Sequence, residues 1–330
     1  MKHSNIPIFI PELACPHQCI FCNQAKISGQ QNIPQPQDIP DIIDTYLSTM
    51  NDGREIEVAF FGGSFTGIPV TLQEQYLIQA NHYLKEGKIS GIRLSTRPDY
   101  INEQILELLK HYGVTTIELG AQSTNDDVLL ASGRGHKSDA IKRASEAILS
   151  KGFHLGLQMM IGLPHDTYER SRQTVEDIIS LGADNTRIYP TLVIKGTQLA
   201  KLYALGKYQP LDLDTAVSWA KDFYLRFESQ NITILRVGLH ASEELSYEKS
   251  LLAGPYHKSF MELMMTEIWA DILQNKLSNI HHQELTLEVN PTQINYVWGY
   301  AGKNKGFFTK QDLNIKIKGN PLLNKYDLIF

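Results

Sequence analysis

Cysteine is nearly missing from this 330-residue chain: there are three, at positions 15, 19 and 22, and none follows. An odd, tightly clustered set of thiols is a poor disulfide framework, so a scaffold held by cross-links is excluded. No apolar run approaches the ~20 residues that a membrane helix needs. The opening residues, Met1-Lys2-His3-Ser4-Asn5-Ile6-Pro7, have neither the apolar core nor the small-residue cleavage site of a secretory signal. A cytoplasmic protein with no membrane partner is therefore expected. Positive charge is not in excess: 31 basic against 36 acidic side chains give a net charge of −5. That excludes a chain that coats nucleic acid through its overall field, while leaving room for a local basic patch. Internal repeats and low-complexity tracts are also missing. Hydrophobic and charged fractions of 42% and 20% suit a folded chain with one large domain and a small one.

What is present is an alternation. β-Branched apolar runs at Ile6–Ile10, Ile56–Phe61, Gly91–Ser95, Thr116–Leu119, His154–Ile161 and Thr186–Leu192 read as strands, with Ile234–Gly238 as a seventh candidate. Between them, Ile39–Met50, Thr71–Lys85, Ile101–His111, Ser138–Lys151 and Glu169–Leu181 repeat their apolar residues at helical spacing. Asn102 and Ser138 read as helix starts, Gly113 and Gly152 as stops. About six βα units predict an α/β fold, a partial (β/α)6 TIM-type barrel over residues 1–240. Gly62-Gly63-Ser64, Ser95-Thr96-Arg97, Gln122-Ser123, Gly162-Leu163-Pro164 and Tyr189-Pro190-Thr191 all fall at the C-terminal ends of strands. In such a barrel those ends form one face, where chemistry is placed.

Cys15-Pro16-His17-Gln18-Cys19-Ile20-Phe21-Cys22 follows the first strand. Three thiolates on one short loop can bind three irons of a 4Fe–4S cluster and leave the fourth open to a small ligand. The alternative is a structural zinc site, with Cys15, Cys19, Cys22 and either His17 or a distant histidine as ligands. The spacing, with aromatic Phe21 before the last cysteine, resembles the radical S-adenosylmethionine enzymes. That resemblance implies a 4Fe–4S cluster held by Cys15, Cys19 and Cys22. It implies that S-adenosylmethionine chelates the open iron and is split reductively to a 5′-deoxyadenosyl radical, which abstracts hydrogen from a substrate. A reducing partner such as flavodoxin or ferredoxin is then expected.

Gly62-Gly63-Ser64-Phe65 resembles that superfamily's Gly-Gly-Glu motif, with Ser64 in place of the glutamate, and its backbone carbonyls are the expected acceptors for the methionyl amine. An ordinary tight turn is the plainer alternative. Ser95 and Arg97 supply a hydroxyl and a guanidinium for ribose or carboxylate oxygens, the alternative being a capped turn with Arg97 in a surface pair. Met160-Ile161-Gly162-Leu163-Pro164 is similar to the adenine-contacting segment. The order of these motifs, with Ile117-Glu118-Leu119-Gly120-Ala121-Gln122-Ser123, Arg134-Gly135-His136 and Ile188–Thr197, resembles the radical domain of the Elongator catalytic subunit over residues 5–205. Similar elements occur in the oxygen-independent coproporphyrinogen oxidase and methylthiotransferase group. The cofactor pocket is accordingly expected from Phe21, Gly62, Gly63, Ser64, Ser95, Arg97, Gln122, Ile161 and Tyr189. Tyr189 and Lys195 are candidate catalytic groups, with His136 and His165 behind them.

After residue 240 the pattern changes. A helical connector, with helix over Tyr256–Lys276, precedes a small α+β module at 283–330 that reads β-α-loop-α-β around Gly299-Tyr300-Ala301-Gly302. This resembles the minimal KH nucleic-acid-binding unit, which implies RNA contacts by Gly299, Gly302, Lys303 and Lys305; a small αβ cap with a solvated lysine face is the alternative. Five lysines against Asp312 within Asn290–Asn320 make a local charge of +4. Expected function is therefore radical chemistry on RNA, chiefly tRNA. A small metabolite or porphyrin-like substrate is the first alternative, and a non-enzymatic zinc-containing RNA-binding protein the second.

Overall fold

The computed structural model describes residues 2–10, 19–23, 32–50, 54–239, 245–247, 249–280 and 283–330. Cys15 and His17 lie outside the described residues. Strands β1 (Lys2–Phe9), β2 (Arg54–Phe61), β3 (Gly91–Thr96), β4 (Val114–Gln122), β5 (His154–Ile161) and β6 (Asn185–Pro190) pair in sequence order, all parallel. After a short ribbon strand β7 (Val193–Ile194), β8 (Thr233–Val237) joins β6 as the seventh strand of the sheet.

The helices pack outside. They are α1 (Ile39–Thr49), α2 (Val70–Lys85), α3 (Glu103–His111), α4 (Asp126–Ala131), α5 (Ser138–Ser150), α6 (Tyr168–Ser180), α7 (Gln198–Ala204) and α8 (Leu213–Ser229). Asn102 caps α3 by accepting from the Ile105 amide at 3.0 Å, as its position in the sequence predicts. Ser138 behaves differently: it is the first residue of α5, and its own amide donates to Asp126 at 2.8 Å. Gly113 and Gly152 end their helices at φ of 74° and 76°, where a side chain is strained. No helix among the described residues is long and apolar enough to cross a membrane.

Strand alternation separates two environments. In β5, Leu155, Leu157, Met159 and Ile161 are fully buried against the helices, while Gln158 turns inward to Glu118. Burying each such aliphatic side chain contributes about 1.5–3 kcal/mol. The sheet is curled, not flat. Arg187 of β6 sits 5.1 Å from the Phe61 ring of β2, yet four strand spacings of ~4.8 Å would hold those strands ~19 Å apart in a plane.

The interior of this open barrel is ionic. Glu118 accepts from Arg93 Nη1 at 2.9 Å, Arg187 Nη2 at 3.0 Å, Arg187 Nε at 2.6 Å and Gln158 at 2.9 Å. Glu57 accepts from Arg93 Nε at 2.8 Å and from the Thr115 and Thr116 hydroxyls, and pairs with His3 at 2.6 Å. Burial acts to raise the Glu118 carboxyl, but the Arg187 and Arg93 guanidiniums beside it hold it below the usual carboxylate range. Gly156 leaves the space this cluster needs, since a Cβ there would stand 2.7 Å from Glu118 Cγ and 2.5 Å from Asn185 Oδ1.

Past β9 (Leu251–Ala253), helix α9 (Phe260–Leu277) leads into a three-stranded sheet ordered β11 (Leu313–Gly319), β10 (Gln283–Val289), β12 (Leu328–Ile329). Helices α10 (Ile294–Trp298) and α11 (Lys305–Lys310) lie between β10 and β11. The main hydrophobic core runs from the barrel through Phe223, Phe227 and fully buried Trp269 to Leu287, Val297 and Phe308 without a break. Lys325 and Tyr326 also bond to Glu228 on α8, at 2.5 and 2.7 Å.

Replacing Glu118 by Gln leaves two buried guanidiniums short of their counter-charge. Urea unfolding is expected to show a loss of about 3–5 kcal/mol at neutral pH. Because the folded-state pKa is depressed, the carboxylate's contribution is present above the unfolded value of about 4.3 and is lost as pH falls below it. The variant's acid sensitivity should shrink accordingly. A loss under about 1 kcal/mol is the surface-pair result and would contradict the network.

Candidate functional site

The described part of the cysteine segment, 19–23, crosses the C-terminal face of the sheet and is held from both sides. The Ile20 amide donates to the Ser132 carbonyl just past α4 at 3.2 Å, and the Ile20 carbonyl accepts from the Leu199 amide of α7 at 2.8 Å. The Cys22 amide returns to the Cys19 carbonyl at 2.9 Å, a tight turn that brings the two cysteines close along the chain. Cys19 and Phe21 are buried in a second apolar cluster with Val128, Leu163, Leu199 and Tyr208, against which half-buried Cys22 and Met160 pack. Phe21 thus anchors the segment by burial, and Tyr208 closes the cluster by donating its hydroxyl to the Gly162 carbonyl at 2.6 Å.

Two buried guanidiniums converge on the Cys19 sulfur. Arg134 Nη1 lies 3.1 Å from it and Arg97 Nη1 3.8 Å. Arg97 is held by a two-pronged pair with Asp99, at 2.9 and 2.8 Å, and by the Arg134 carbonyl. Burial opposes the charge on Arg97, yet its bond to Asp99 keeps the guanidinium's pKa above its ordinary value. Arg134 donates its other nitrogen to the Gly120 carbonyl of β4. Its Nε has no hydrogen-bond partner although it is buried, and the same is true of Gln122 Oε1 and His136 Nε2. Gln122 stands at a bulge of β4 with φ of 66°. His136 turns its Nδ1 to the Lys137 carbonyl at 3.2 Å, which leaves Nε2 as an acceptor. Buried polar atoms without protein partners are costly unless water or a ligand satisfies them. One donor and two acceptors beside a cysteine sulfur fit the carboxylate, ammonium and ribose hydroxyls of S-adenosylmethionine, and Cys19 and Cys22 are thiols suited to iron.

The remaining expected residues divide. Gly62, Gly63 and Ser64 sit together where β2 ends, Gly62 at φ of 100°. Their turn is pinned to β3 by the Thr66–Thr96 hydroxyl pair at 2.6 Å, and Gln73 of α2 braces it by donating to the Ile68 carbonyl at 2.8 Å. Ser95 faces the barrel interior and meets Gln158 at 3.3 Å. Tyr189 is inside too and shares a hydrogen bond with Arg187, while burial pushes its phenol up. Ile161 points the other way: its side chain belongs to the core between sheet and helices, and only its carbonyl reaches this face, accepting from Thr191. Lys195 is exposed at the end of β7, and His165 is exposed at φ of 65°. Arg134, with its direct contact to Cys19, is the residue the sequence underweights: nothing local links a glycine loop to a cysteine 115 positions away.

The Gly299–Gly302 loop joins α10 and α11 as the pattern predicts, but it is docked on α9. The Tyr300 amide donates to the Thr266 hydroxyl at 2.7 Å, and Lys303 pairs with Glu267 at 2.6 Å. A Cβ on Gly299 would stand 2.8 Å from Thr266 Cγ2, so this glycine is required for helix contact. Lys305 lies over the Trp298 ring at 5.6 Å. Gly302 keeps a φ of 75°.

Residues 10–178 match the Radical SAM superfamily, and residues 183–270 match a Radical_SAM C-terminal domain. The chain is 25% identical over 250 residues to the tRNA uridine(34) acetyltransferase of Methanocaldococcus infernus, covering 63% of this chain and 47% of that protein. It is 29% identical over 175 residues to Elongator complex protein 3 of Schizosaccharomyces pombe, covering 47% of this chain and 32% of that one. The chain thus spans half or less of the length of these curated relatives. Among solved structures, an N-terminally truncated archaeal Elp3 from Methanocaldococcus infernus superposes with a TM-score of 0.63 at 17% identity, over 81% of this chain and 62% of that one. That likeness concerns the fold.

His136 offers a measurement on the protein without cofactor. Burial first, then the Arg134 charge, pushes its imidazole down from 6.5 to about 4. The unfolded chain takes up this proton at higher pH than the folded one, so the folded state loses stability as pH falls from 6.5 toward 4. NMR of the imidazole is expected to show it neutral through pH 5–8. Titration at the ordinary value would remove the burial assigned here.

Proposed function

The chain belongs to the radical SAM superfamily, and from that premise we propose an enzyme that cleaves S-adenosylmethionine reductively and takes hydrogen from RNA, chiefly tRNA. The observation that carries the cofactor half of this reading is the Cys19 sulfur between Arg134 and Arg97, with unpartnered buried atoms of Arg134, Gln122 and His136 around it. When bound, the cluster supplies the electron that splits the sulfonium and leaves a 5′-deoxyadenosyl radical to abstract hydrogen. Cys15, Cys19 and Cys22 would hold it.

The side chains divide the remaining work. Arg134 directs a donor at a carboxylate, and its bond to the Gly120 carbonyl fixes that donor relative to the sheet. Gln122 and His136 offer acceptors to hydroxyls or ammonium, and the backbone at Gly62–Ser64 offers carbonyls. Phe21, Leu163 and Tyr208 keep water from the cysteine segment. Deeper in the barrel, Tyr189 keeps its proton at neutral pH and holds it beside Arg187, where a substrate group entering the interior would meet it. Lys195 stands at the exposed rim for a substrate phosphate.

RNA is supported by relatives whose names specify tRNA uridine 34 and by the lysine excess of the C-terminal module. A small-molecule substrate is the second reading. It is favoured by one observation: the glycine loop expected to clasp a nucleic-acid backbone spends its Tyr300 amide and its Lys303 charge on α9. The zinc-protein alternative falls with membership of an enzyme superfamily.

Anaerobic reconstitution with iron, sulfide, dithionite and S-adenosylmethionine should yield 5′-deoxyadenosine. Cys19→Ala or Cys22→Ala should abolish it, whereas a zinc site would give colourless protein and none in any case. Adding a tRNA pool should raise the yield severalfold, and Lys305→Glu with Lys310→Glu should reduce crosslinking to that pool. A yield indifferent to RNA would transfer the assignment to the small-molecule reading.

A further inference from the structure

The segment before α9, described at 245–247 and 249–259, is tied to the rim of the barrel. Its strand β9 pairs antiparallel with β7, Ala253 opposite Val193. Gly254 packs so closely on the exit of β6 that a Cβ there would stand 2.9 Å from the Thr191 carbonyl oxygen. Four aromatic rings follow one another from this anchored stretch. Tyr247 meets Tyr256 edge-on, 6.5 Å between centroids, and donates its hydroxyl to the Gly254 carbonyl at 2.7 Å. Tyr256 and its neighbour His257 line one crevice with Pro190 and Leu192, just past Tyr189 on the way out of the barrel. His257 in turn meets Tyr300 of the Gly299–Gly302 loop edge-on at 5.1 Å. These contacts join the barrel rim and the C-terminal module in one row.

The ends of the row are open to solvent, Tyr247 at 57% and Tyr300 at 42%. Within it, the Tyr256 hydroxyl is buried with no hydrogen-bond partner among the described residues. His257 Nδ1 accepts from the Ser259 amide at 3.0 Å, so the neutral ring carries its proton on Nε2 as a donor. The segment itself is basic: residues 249–261, between Glu248 and Glu262, hold exposed Lys249 and Lys258 and no acid. Beyond Lys303, which Glu267 engages, the loop adds exposed Lys305.

We propose that this aromatic row is a track for single-stranded RNA, holding an unpaired stretch between the C-terminal module and the mouth of the barrel. The inference rests on the RNA reading and adds the route by which the strand arrives. Every base has a ring face, so exposed tyrosines hold a strand with little regard to its sequence, while lysines beside them take its phosphates. The Tyr256 hydroxyl and His257 Nε2 supply hydrogen bonds for a base edge or a phosphate oxygen. A protein partner would also use the tyrosines, but lysine is depleted where proteins meet.

The test measures binding of a fluorescein-labelled oligouridylate of about ten nucleotides to the reconstituted protein by anisotropy. Tyr247→Ala and Tyr300→Ala should each weaken it about tenfold, whereas Tyr247→Phe and Tyr300→Phe should stay within about twofold of wild type. Lys258→Glu with Lys305→Glu should lower the salt slope, which the tyrosine variants should leave in place. Unfolding midpoints of the tyrosine variants should match wild type. Equal affinity of the alanine variants and wild type would overturn the track while leaving RNA as the substrate. So would an equal loss when the strand is annealed to its complement, since paired bases offer no free faces. A dimer seen by sedimentation and dissociated by Tyr300→Ala, with RNA affinity unchanged, would assign the row to a second copy of the chain. Absence of strand binding by wild type overturns the track as well, but only a 5′-deoxyadenosine yield indifferent to tRNA sinks the RNA reading itself.

Discussion

Arg134 carries its guanidinium from the loop after α4 into the mouth of the barrel, where it touches a β4 carbonyl and the Cys19 sulfur. A buried guanidinium needs a counter-charge, because its desolvation costs several kcal/mol unless an anion or good acceptors replace water, by about the amounts known for buried ions. Arg97 has such an anion in Asp99. Arg134 forms no ion pair with a carboxylate among the described residues. The Cys19 sulfur at 3.1 Å and the Gly120 carbonyl are the partners its two terminal nitrogens meet, and its Nε is left for a further acceptor. The same contact ties the cysteine segment to the sheet, so the site's geometry and its electrostatics have one origin.

The barrel interior solves a related problem by other means. Glu57, Arg93, Glu118 and Arg187 neutralise one another across strands β2 to β6. Such a ladder is weak evidence of net stability, since well-packed apolar residues often do as well. What it does supply is direction: each hydrogen bond fixes an inward-facing side chain relative to its neighbours, in a sheet that has no closing strand pair among the described residues.

Much of this was legible because the inward and outward faces alternate with period two, and β5 falls on His154–Ile161 in both pattern and structure. Strand β6 ends at Pro190, short of the expected Leu192, because Thr191 turns back to bond the Ile161 carbonyl through both amide and hydroxyl. Helix α8 is missing from the expected elements although its signal is ordinary. Asp212 caps it by accepting from Thr215, and Ala216, Val217, Ala220, Phe223, Tyr224 and Phe227 repeat at helical spacing. The polar clamps are a different matter. Thr66 on Thr96, Tyr208 on Gly162 and Arg134 on Cys19 join residues 30 to 115 positions apart, and no local pattern encodes such partners.

The Gly-x-x-Gly loop shows why a motif's glycines have to be traced to a cause. Nucleic-acid approach and close helix packing both call for a residue without Cβ, and sequence alone does not separate them. Here Gly299 faces Thr266 at a distance no other residue tolerates, and Asn304 adds a bond to the Thr266 carbonyl at 3.2 Å. Packing against Thr266 and a φ of 76° both call for the first glycine. Gly302 is different: at its position a Cβ would meet only the flexible stem of Lys305, so contact does not demand a glycine and only its φ of 75° does. Between the two glycines, exposed Tyr300 is held by its amide bond to Thr266 and by an edge-on contact of its ring with His257 at 5.1 Å.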